Sequence, residues 1–147
     1  MSPTEPAAES VGILRIDHVG VAVADLDEAI SFYTGVLGMR CAHVEVNEEQ
    51  GVREAMLEVG PAGGGMVQLL APLSPESTIA KFLDKRGPGI QQMAYTVRDI
   101  EETSAVLRSR GVRLLYEAPR RGTAGSLVNF VHPKDAGGVL VELVQPA

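Results

Sequence analysis

Cysteine and basic residues are scarce in this chain of 147 residues. One cysteine, Cys41, excludes a framework of disulfide bonds, and its place in a predicted strand indicates a structural residue rather than a reactive thiol. Thirteen lysines and arginines against 19 aspartates and glutamates give a net charge of −6. This balance argues against general nucleic-acid binding, which needs a basic stripe, and any anionic ligand must be met by local basic groups.

Long apolar runs are also missing. No segment approaches the roughly 20 apolar residues that span a membrane. Residues 1–11 lack a basic start and a continuous apolar run, so we expect a disordered tail there rather than a signal peptide. We therefore expect a cytoplasmic protein with neither a membrane nor a nucleic acid as partner. With 45% hydrophobic residues, 12–147 is predicted to fold as a single domain.

An internal duplication organises this domain. The stretch 16–23, an alternating strand, returns as 90–97, and 66–70 returns as 140–144. One spacing of 74 residues separates three pairs: His18 and Gln92, Asp25 and Asp99, and Gln68 and Glu142. Such fixed-period similarity indicates two copies of one structural unit.

Each copy is predicted to be a βαβββ module. In each, an aspartate caps a helix that a glycine ends, Asp25 in the first and Asp99 in the second. Module one spans about 12–71, a linker with a short helix 72–88, and module two about 89–147. In module two we expect strands at 112–117, 127–131 and 139–144, and a basic, glycine-bearing loop at 120–126. The fold class is α+β: two tandem modules with pseudo-twofold symmetry form an open, cupped mixed β-sheet with helices on the outer faces.

Four polar side chains paired by the duplication are predicted to meet in the concavity of this sheet: His18, Gln68, Gln92 and Glu142. Imidazole, carboxylate and amide oxygen are ligands of divalent metals, and four of them leave coordination positions free for a substrate. The alternative is that each is an isolated polar residue satisfied by hydrogen bonds. Their placement in register with a duplication favours a shared metal site. Glu54 falls on the same uncovered face.

Several stretches resemble the methylmalonyl-CoA epimerases, a family of the vicinal oxygen chelate superfamily, which also includes glyoxalase I and the extradiol dioxygenases. They are IDHVG at 16–20, NEEQGVRE at 47–54, LLYEAPRRG at 114–122, HPK at 132–134 and GVLVEL at 138–143. The resemblance covers nearly everything from Leu14 to Val144. It implies the vicinal oxygen chelate fold, an isomerase and a homodimer.

The resemblance also implies a reaction and roles for residues. A divalent metal would be held by the four paired side chains, with Glu54 and Glu142 as bases on opposite faces of the substrate carbon. Proton removal and return through a metal-stabilised enolate would interconvert (R)- and (S)-methylmalonyl-CoA, with ethylmalonyl-CoA as a further acyl-CoA substrate. Arg120, Arg121 and Lys134 are the best local basic groups for the CoA phosphates in this acidic chain, and the alternative is that they form a solvated rim.

The sequence departs from the family at Gln91–Gln92, where a His-His pair is usual. We expect Gln92 to ligate through its amide oxygen, a harder donor that favours Mn²⁺ or Mg²⁺ over Zn²⁺, with Co²⁺ also compatible. The alternatives are a glyoxalase I-like isomerase, which the Glu54 segment disfavours, and a non-catalytic ligand-binding protein, which would not need Glu54 opposite Glu142. An extradiol dioxygenase would need two histidines and one carboxylate on iron, and the glutamine at position 92 disfavours that alternative.

Overall fold

The structure of the protein, a computed structural model, describes residues 11–61 and 63–147. The disordered tail predicted for 1–11 lies outside these residues except for Val11. The α-helices and strands are β1 (Ile13–Ala22), α1 (Leu26–Ser31), β2 (Arg40–Asn47), β3 (Val52–Glu58), β4 (Met66–Pro72), α2 (Thr78–Arg86), β5 (Gly89–Val97), α3 (Ile100–Ser109), β6 (Arg120–Arg121), β7 (Leu127–Val131) and β8 (Val141–Gln145). A π-helical turn, Phe32–Val36, continues α1. Among the described residues, no helix has both the length and the apolar character that crossing a membrane requires.

All eight strands form one curled sheet in the order β2-β3-β4-β1-β5-β8-β7-β6. Strand β1 pairs antiparallel with β5 at the centre, and each has a parallel neighbour, β4 for β1 and β8 for β5. The order outward from the centre is therefore the same in both halves. The predicted pair of modules in an open, cupped mixed sheet is confirmed.

Equivalent helices cover the convex face of each half. The Asp25 carboxylate accepts a hydrogen bond from the Glu28 amide and begins α1, and the Asp99 carboxylate does the same for α3. Helix α1 buries Leu26 against β3 and β4, and α3 buries Ile100 against β5, β7 and β8. Burying a side chain of this size contributes about 1.5–3 kcal/mol, so each helix stabilises the half of the sheet that it covers.

Helix α2 lies on the other face. Its Ile79 packs with Ala22, Val52 and Leu70, which point into the concavity. The Ser77 hydroxyl accepts a hydrogen bond from the Ala80 amide and starts this helix. The linker between the modules therefore closes one end of the cupped sheet.

The strand predicted at 112–117 is wrong. Only an isolated bridge, between Leu114 and Val131, forms there, and the second strand of module two is β6, within the predicted loop. The fully buried Asn129 side chain explains the difference. Its Oδ1 accepts a hydrogen bond from the Tyr116 amide at 3.1 Å and its Nδ2 donates to the Tyr116 carbonyl at 3.0 Å. One side chain thus satisfies the backbone groups that a ladder would otherwise pair.

Candidate active site

The register of the central strands places the four paired polar side chains in two adjacent rows. In one row, Gly20 of β1 lies between Gln68 of β4 and Gln92 of β5. In the next row, Ala94 of β5 lies between His18 of β1 and Glu142 of β8. Small residues at the middle of each row let the longer side chains lean toward one another over the sheet.

The structure brings the four side chains into direct contact. One oxygen of Glu142, Oε1, lies 3.1 Å from His18 Nε2 and accepts a hydrogen bond from Gln92 Nε2 at 2.5 Å. The same Gln92 nitrogen lies 3.4 Å from Gln68 Oε1, and Gln68 Nε2 donates to Glu54 Oε2 at 3.0 Å. All five residues are at most 7% exposed. Five polar groups from five strands therefore form one buried network.

Asp17 supports His18 from behind. His18 Nδ1 lies 2.8 Å from Asp17 Oδ1, and the Thr96 hydroxyl donates to Asp17 Oδ2 at 2.6 Å. Burial raises the pKa of Asp17, but these hydrogen bonds bring it below its usual value. Burial likewise works to lower the pKa of His18, but the contacts with Asp17 and Glu142 outweigh it and raise the pKa to about 9. The imidazole is thus held between two carboxylates.

Glu54 has partners on both carboxylate oxygens. Gln68 donates to Oε2, and the Thr123 hydroxyl, from the segment after β6, donates to Oε1. Burial raises the pKa of Glu54 to about 7, and the charges of Glu45 and Glu142 act in the same direction. A carboxyl group with such a shifted pKa in a cavity is a candidate for proton transfer.

A cavity of about 140 Å³ opens over this network. Its floor is polar, with Glu54, Gln68, Gln92 and Glu142, and its walls include Leu70, Ile79, Leu115, Val128 and Phe130. Gln50 and Tyr116 also line the cavity and contact each other through the Gln50 amide and the Tyr116 hydroxyl, at 3.2 Å. Apolar walls with a few convergent polar groups are typical of a small-molecule site.

The three predicted CoA-binding residues occupy different places. The Arg120 guanidinium stacks on the Tyr116 ring at 3.9 Å from its centroid, beside the cavity. Arg121 is exposed on β6. Burial raises the pKa of Glu45, but the hydrogen bonds from Ala124 and His43 bring that pKa below its usual value, and the charge of Arg121 acts in the same direction. Lys134 lies in a short turn after β7 and is not part of the cavity lining.

Comparison with known proteins gives the chain its family. A model of the Glyoxalase/Bleomycin resistance protein/Dioxygenase superfamily matches residues 17–130. The crystal structure of methylmalonyl-CoA epimerase from Mycobacterium tuberculosis is 58% identical, with a TM-score of 0.90 over 97% of this chain and 93% of the other. The ethylmalonyl-CoA/methylmalonyl-CoA epimerase of Cereibacter sphaeroides is 36% identical over 89% of this chain and 97% of that protein.

The chain belongs to the methylmalonyl-CoA epimerase family of this superfamily. The predicted resemblance is therefore confirmed. Another solved methylmalonyl-CoA epimerase, in complex with methylmalonyl-CoA and NH4⁺, is 47% identical, with a TM-score of 0.87 over 92% of this chain and 96% of the other.

Enzymes of this superfamily typically use a divalent metal ion. No group of three or more His, Cys, Asp or Glu placed to hold a metal occurs in 11–61 or 63–147. Two of the four candidate ligands are amides, which such a group does not count. The side chains nevertheless lie close enough to surround one ion. Two proposed donor atoms, His18 Nε2 and Glu142 Oε1, lie 3.1 Å apart, and neighbouring donors around an octahedral ion are about 3 Å apart. The Gln92 amide group contacts Glu142 Oε1 and Gln68 Oε1, so its oxygen can take the same place after a half-turn. Asp17 behind His18 is the support that a metal-binding imidazole needs.

Sequence reasoning about this epimerase-family chain missed three residues of the site: Asp17, Gly20 and Thr123. An aspartate preceding the histidine was a signal for a supporting carboxylate. A glycine inside an alternating strand was a signal for close approach by another group. Thr123 gave no signal, since its loop was predicted only as basic and glycine-bearing.

We expect Gly20→Ala to displace Gln92. A Cβ at position 20 would lie 2.5 Å from Gln92 Cγ and 2.8 Å from its Cδ, so the side chain must move and lose its hydrogen bond with Glu142. The variant should be destabilised by about 1–3 kcal/mol in urea unfolding and should shift the Gln92 side-chain amide resonances in NMR spectra.

Gly35→Ala is the matched control, because no atom of the described residues, apart from its chain neighbours and its own helix backbone, lies within 4 Å of a Cβ built there. It should change stability by less than about 1 kcal/mol. Unchanged stability together with unchanged Gln92 resonances in Gly20→Ala would contradict the close packing of these two residues.

Proposed function

We propose that this protein is an epimerase that interconverts (R)- and (S)-methylmalonyl-CoA by removing and returning the proton at the α-carbon. One observation carries the proposal: two buried carboxylates, Glu54 and Glu142, line a single cavity from the two halves of the sheet. The names of the relatives, epimerases of methylmalonyl-CoA and ethylmalonyl-CoA, support the same substrate class.

The curl of the sheet brings these carboxylates within reach of one substrate. Four strand steps separate β3 from β8, which would be about 19 Å in a flat sheet. Here only the amides of Gln68 and Gln92 lie between Glu54 and Glu142 in a continuous chain of contacts. Glu54 and Glu142 can therefore both approach the α-carbon of one small acyl group.

Inversion at this carbon needs two acid-base groups. The carbon lies between a thioester and a carboxylate, so its proton is weakly acidic. One glutamate removes the proton from one face, and the other glutamate supplies a proton to the opposite face. Among the described residues, both contacts of the Glu142 carboxylate fall on Oε1. Glu142 can therefore face the metal ligands with Oε1 and transfer a proton through Oε2.

We propose that His18, Gln68, Gln92 and Glu142 hold a divalent metal ion. When bound, the ion would neutralise negative charge that develops on the substrate oxygens as the α-proton leaves. The Asp17 carboxylate accepts a hydrogen bond from the protonated Nδ1 of His18, so Nε2 is the atom that can bind the ion. The Gln92 amide now presents its NH₂ group to Glu142 and Gln68, and a half-turn would present its oxygen. Three oxygen donors and one nitrogen favour Mn²⁺ or Mg²⁺, with Co²⁺ also compatible.

We propose that the bound CoA moiety extends out of the cavity past Tyr116. Arg120, stacked on Tyr116, and Arg121, next along β6, can meet its phosphates in this otherwise acidic chain. Lys134 was predicted for the same role, but it stands apart from the cavity lining. Assembly as a homodimer and location in the cytoplasm stay predictions from the sequence.

Proton exchange in D₂O tests the reaction. Incubated with the protein and Mn²⁺, Mg²⁺ or Co²⁺, each epimer of methylmalonyl-CoA should gain deuterium at the α-carbon. Glu54→Gln should block exchange from one epimer and Glu142→Gln from the other, because each base reaches one face. Each blocked reaction should slow by about 10²–10⁴-fold.

Glu49→Gln is the control, an exposed carboxylate in the loop after β2, and it should exchange both epimers at the normal rate. The epimerase proposal fails if the wild-type protein exchanges neither epimer with any of these metals. The assignment of the two bases fails if both variants block the same epimer.

Metal binding tests the role of Gln92. We expect Gln92→Ala to lower the affinity for Mn²⁺ by about tenfold or more, and Gln92→His to shift preference toward Zn²⁺. Isothermal titration calorimetry and elemental analysis of the purified proteins measure both effects without any assay of activity. Unchanged metal content and affinity in both variants would exclude Gln92 as a ligand.

A further inference from the structure

The segment 122–126 connects β6 to β7. It lies over the concavity of the sheet and contacts Glu54. Thr123 begins a short 3₁₀ turn, Thr123–Gly125, and lines the cavity over the polar network. It also lines a second cavity of about 210 Å³ at the other end of the concave face, next to His18 and Met56. Thr123 therefore stands at the middle of the concavity, between its two openings.

Three hydrogen bonds join Thr123, Glu54 and Gln68 in a closed triangle. The two hydrogens of Gln68 Nε2 go to Glu54 Oε2 and to Thr123 Oγ1, both at 3.0 Å. The Thr123 hydroxyl has one proton, and it goes to Glu54 Oε1. Both oxygens of Glu54 are thus held from different sides, which fixes the plane of the carboxylate.

The backbone of this segment is anchored to module one. The Ala124 amide donates to Glu45 Oε1 of β2 at 2.9 Å, and the same oxygen lies 2.5 Å from His43 Nε2. Ala124 adopts φ 54° and ψ 36°, a left-handed conformation that a residue other than glycine holds only when its surroundings impose it. The contact with Glu45 supplies that constraint.

The packing of Gly122 against Val128 and Ser126 also fixes the position of the turn. A Cβ at Gly122 would lie 2.6 Å from Val128 Cγ1 and 2.8 Å from Ser126 Oγ, so only glycine fits there. The Gly122 amide donates to the Ser126 carbonyl at 2.9 Å, and the Ser126 amide donates to the Thr123 carbonyl at 3.1 Å. Neither the backbone nor the hydroxyl of Thr123 is free to swing away from Glu54.

We propose that Thr123 is a positioning residue for Glu54, and that Glu45 of the edge strand holds the Thr123 turn in place. The inference rests on the proposed function, in which Glu54 exchanges the α-proton on one face of the substrate. Without the hydroxyl, the Glu54 carboxylate turns about its last torsion and meets that proton in a poorer geometry. A misplacement of about 1 Å costs about 10²-fold in rate.

Exchange from separate epimers in D₂O measures this role. Thr123→Val removes the hydroxyl at similar volume and should slow exchange about 10–100-fold in kcat, with KM little changed, from the epimer that Glu54→Gln blocks. Exchange from the other epimer, through Glu142, should stay near the wild-type rate. Thr123→Ser keeps the hydroxyl and should restore the first rate, which a purely structural role of the methyl group would not allow.

A double variant separates positioning from independent effects. If Thr123 acts through Glu54, Thr123→Val should add no further loss in a Glu54→Gln background. Thr123→Ala provides the same test if the valine variant does not fold. Glu45→Ala should lower the same exchange severalfold, whereas Glu45→Gln, which keeps an oxygen for the Ala124 amide, should have a smaller effect.

The inference is overturned by equal loss from both epimers, by failure of Thr123→Ser to restore the rate, or by losses that multiply in the double variant. These results differ from failure of the proposed function, which is shown by a wild-type protein that exchanges neither epimer. The ¹³C resonance of the Glu54 carboxyl carbon gives a readout without turnover, and it should shift in Thr123→Val but not in Thr123→Ser.

Discussion

One oxygen of Glu142 links the two halves of this protein at the candidate site, over the β1–β5 ladder that joins them. Oε1 of this carboxylate contacts His18 of β1 at 3.1 Å and Gln92 of β5 at 2.5 Å. Burying an ionised carboxylate without such partners costs far more than a single hydrogen bond returns. The register of β1, β5 and β8 is therefore tied to the site, since a one-residue slip would turn every partner to the convex face.

The scaffold is symmetric, but the proposed chemistry is not. Each module supplies the same positions 74 residues apart, so Glu142 corresponds to Gln68 and Gly20 to Ala94. Glu54 has Val128 as its counterpart, and both line the same cavity. One proposed base thus occupies a duplicated position in the polar network, while the other replaces an apolar residue at the wall. A twofold frame therefore yields two carboxylates in different surroundings.

The sequence predicted the fold and the central network because both depend on periodicity. Alternation of apolar residues predicted which face of β1 and β3 each side chain would occupy, and the duplication predicted that His18 and Gln92 would share a concavity with Gln68 and Glu142. Contacts that depend on tertiary register could not be predicted in this way. Asn129 satisfies the backbone of Tyr116 in place of the predicted strand, and Thr123 reaches Glu54 across 69 residues of sequence.

The central claim is that Glu54 and Glu142 face the substrate carbon from opposite sides. A crystal structure of the protein with a divalent metal and a non-epimerisable CoA thioester analogue of methylmalonate measures this directly. The account predicts one oxygen of each carboxylate within about 3–3.5 Å of the α-carbon position, on opposite faces. An α-carbon bound with both carboxylates on one face, or out of reach of either, would contradict it.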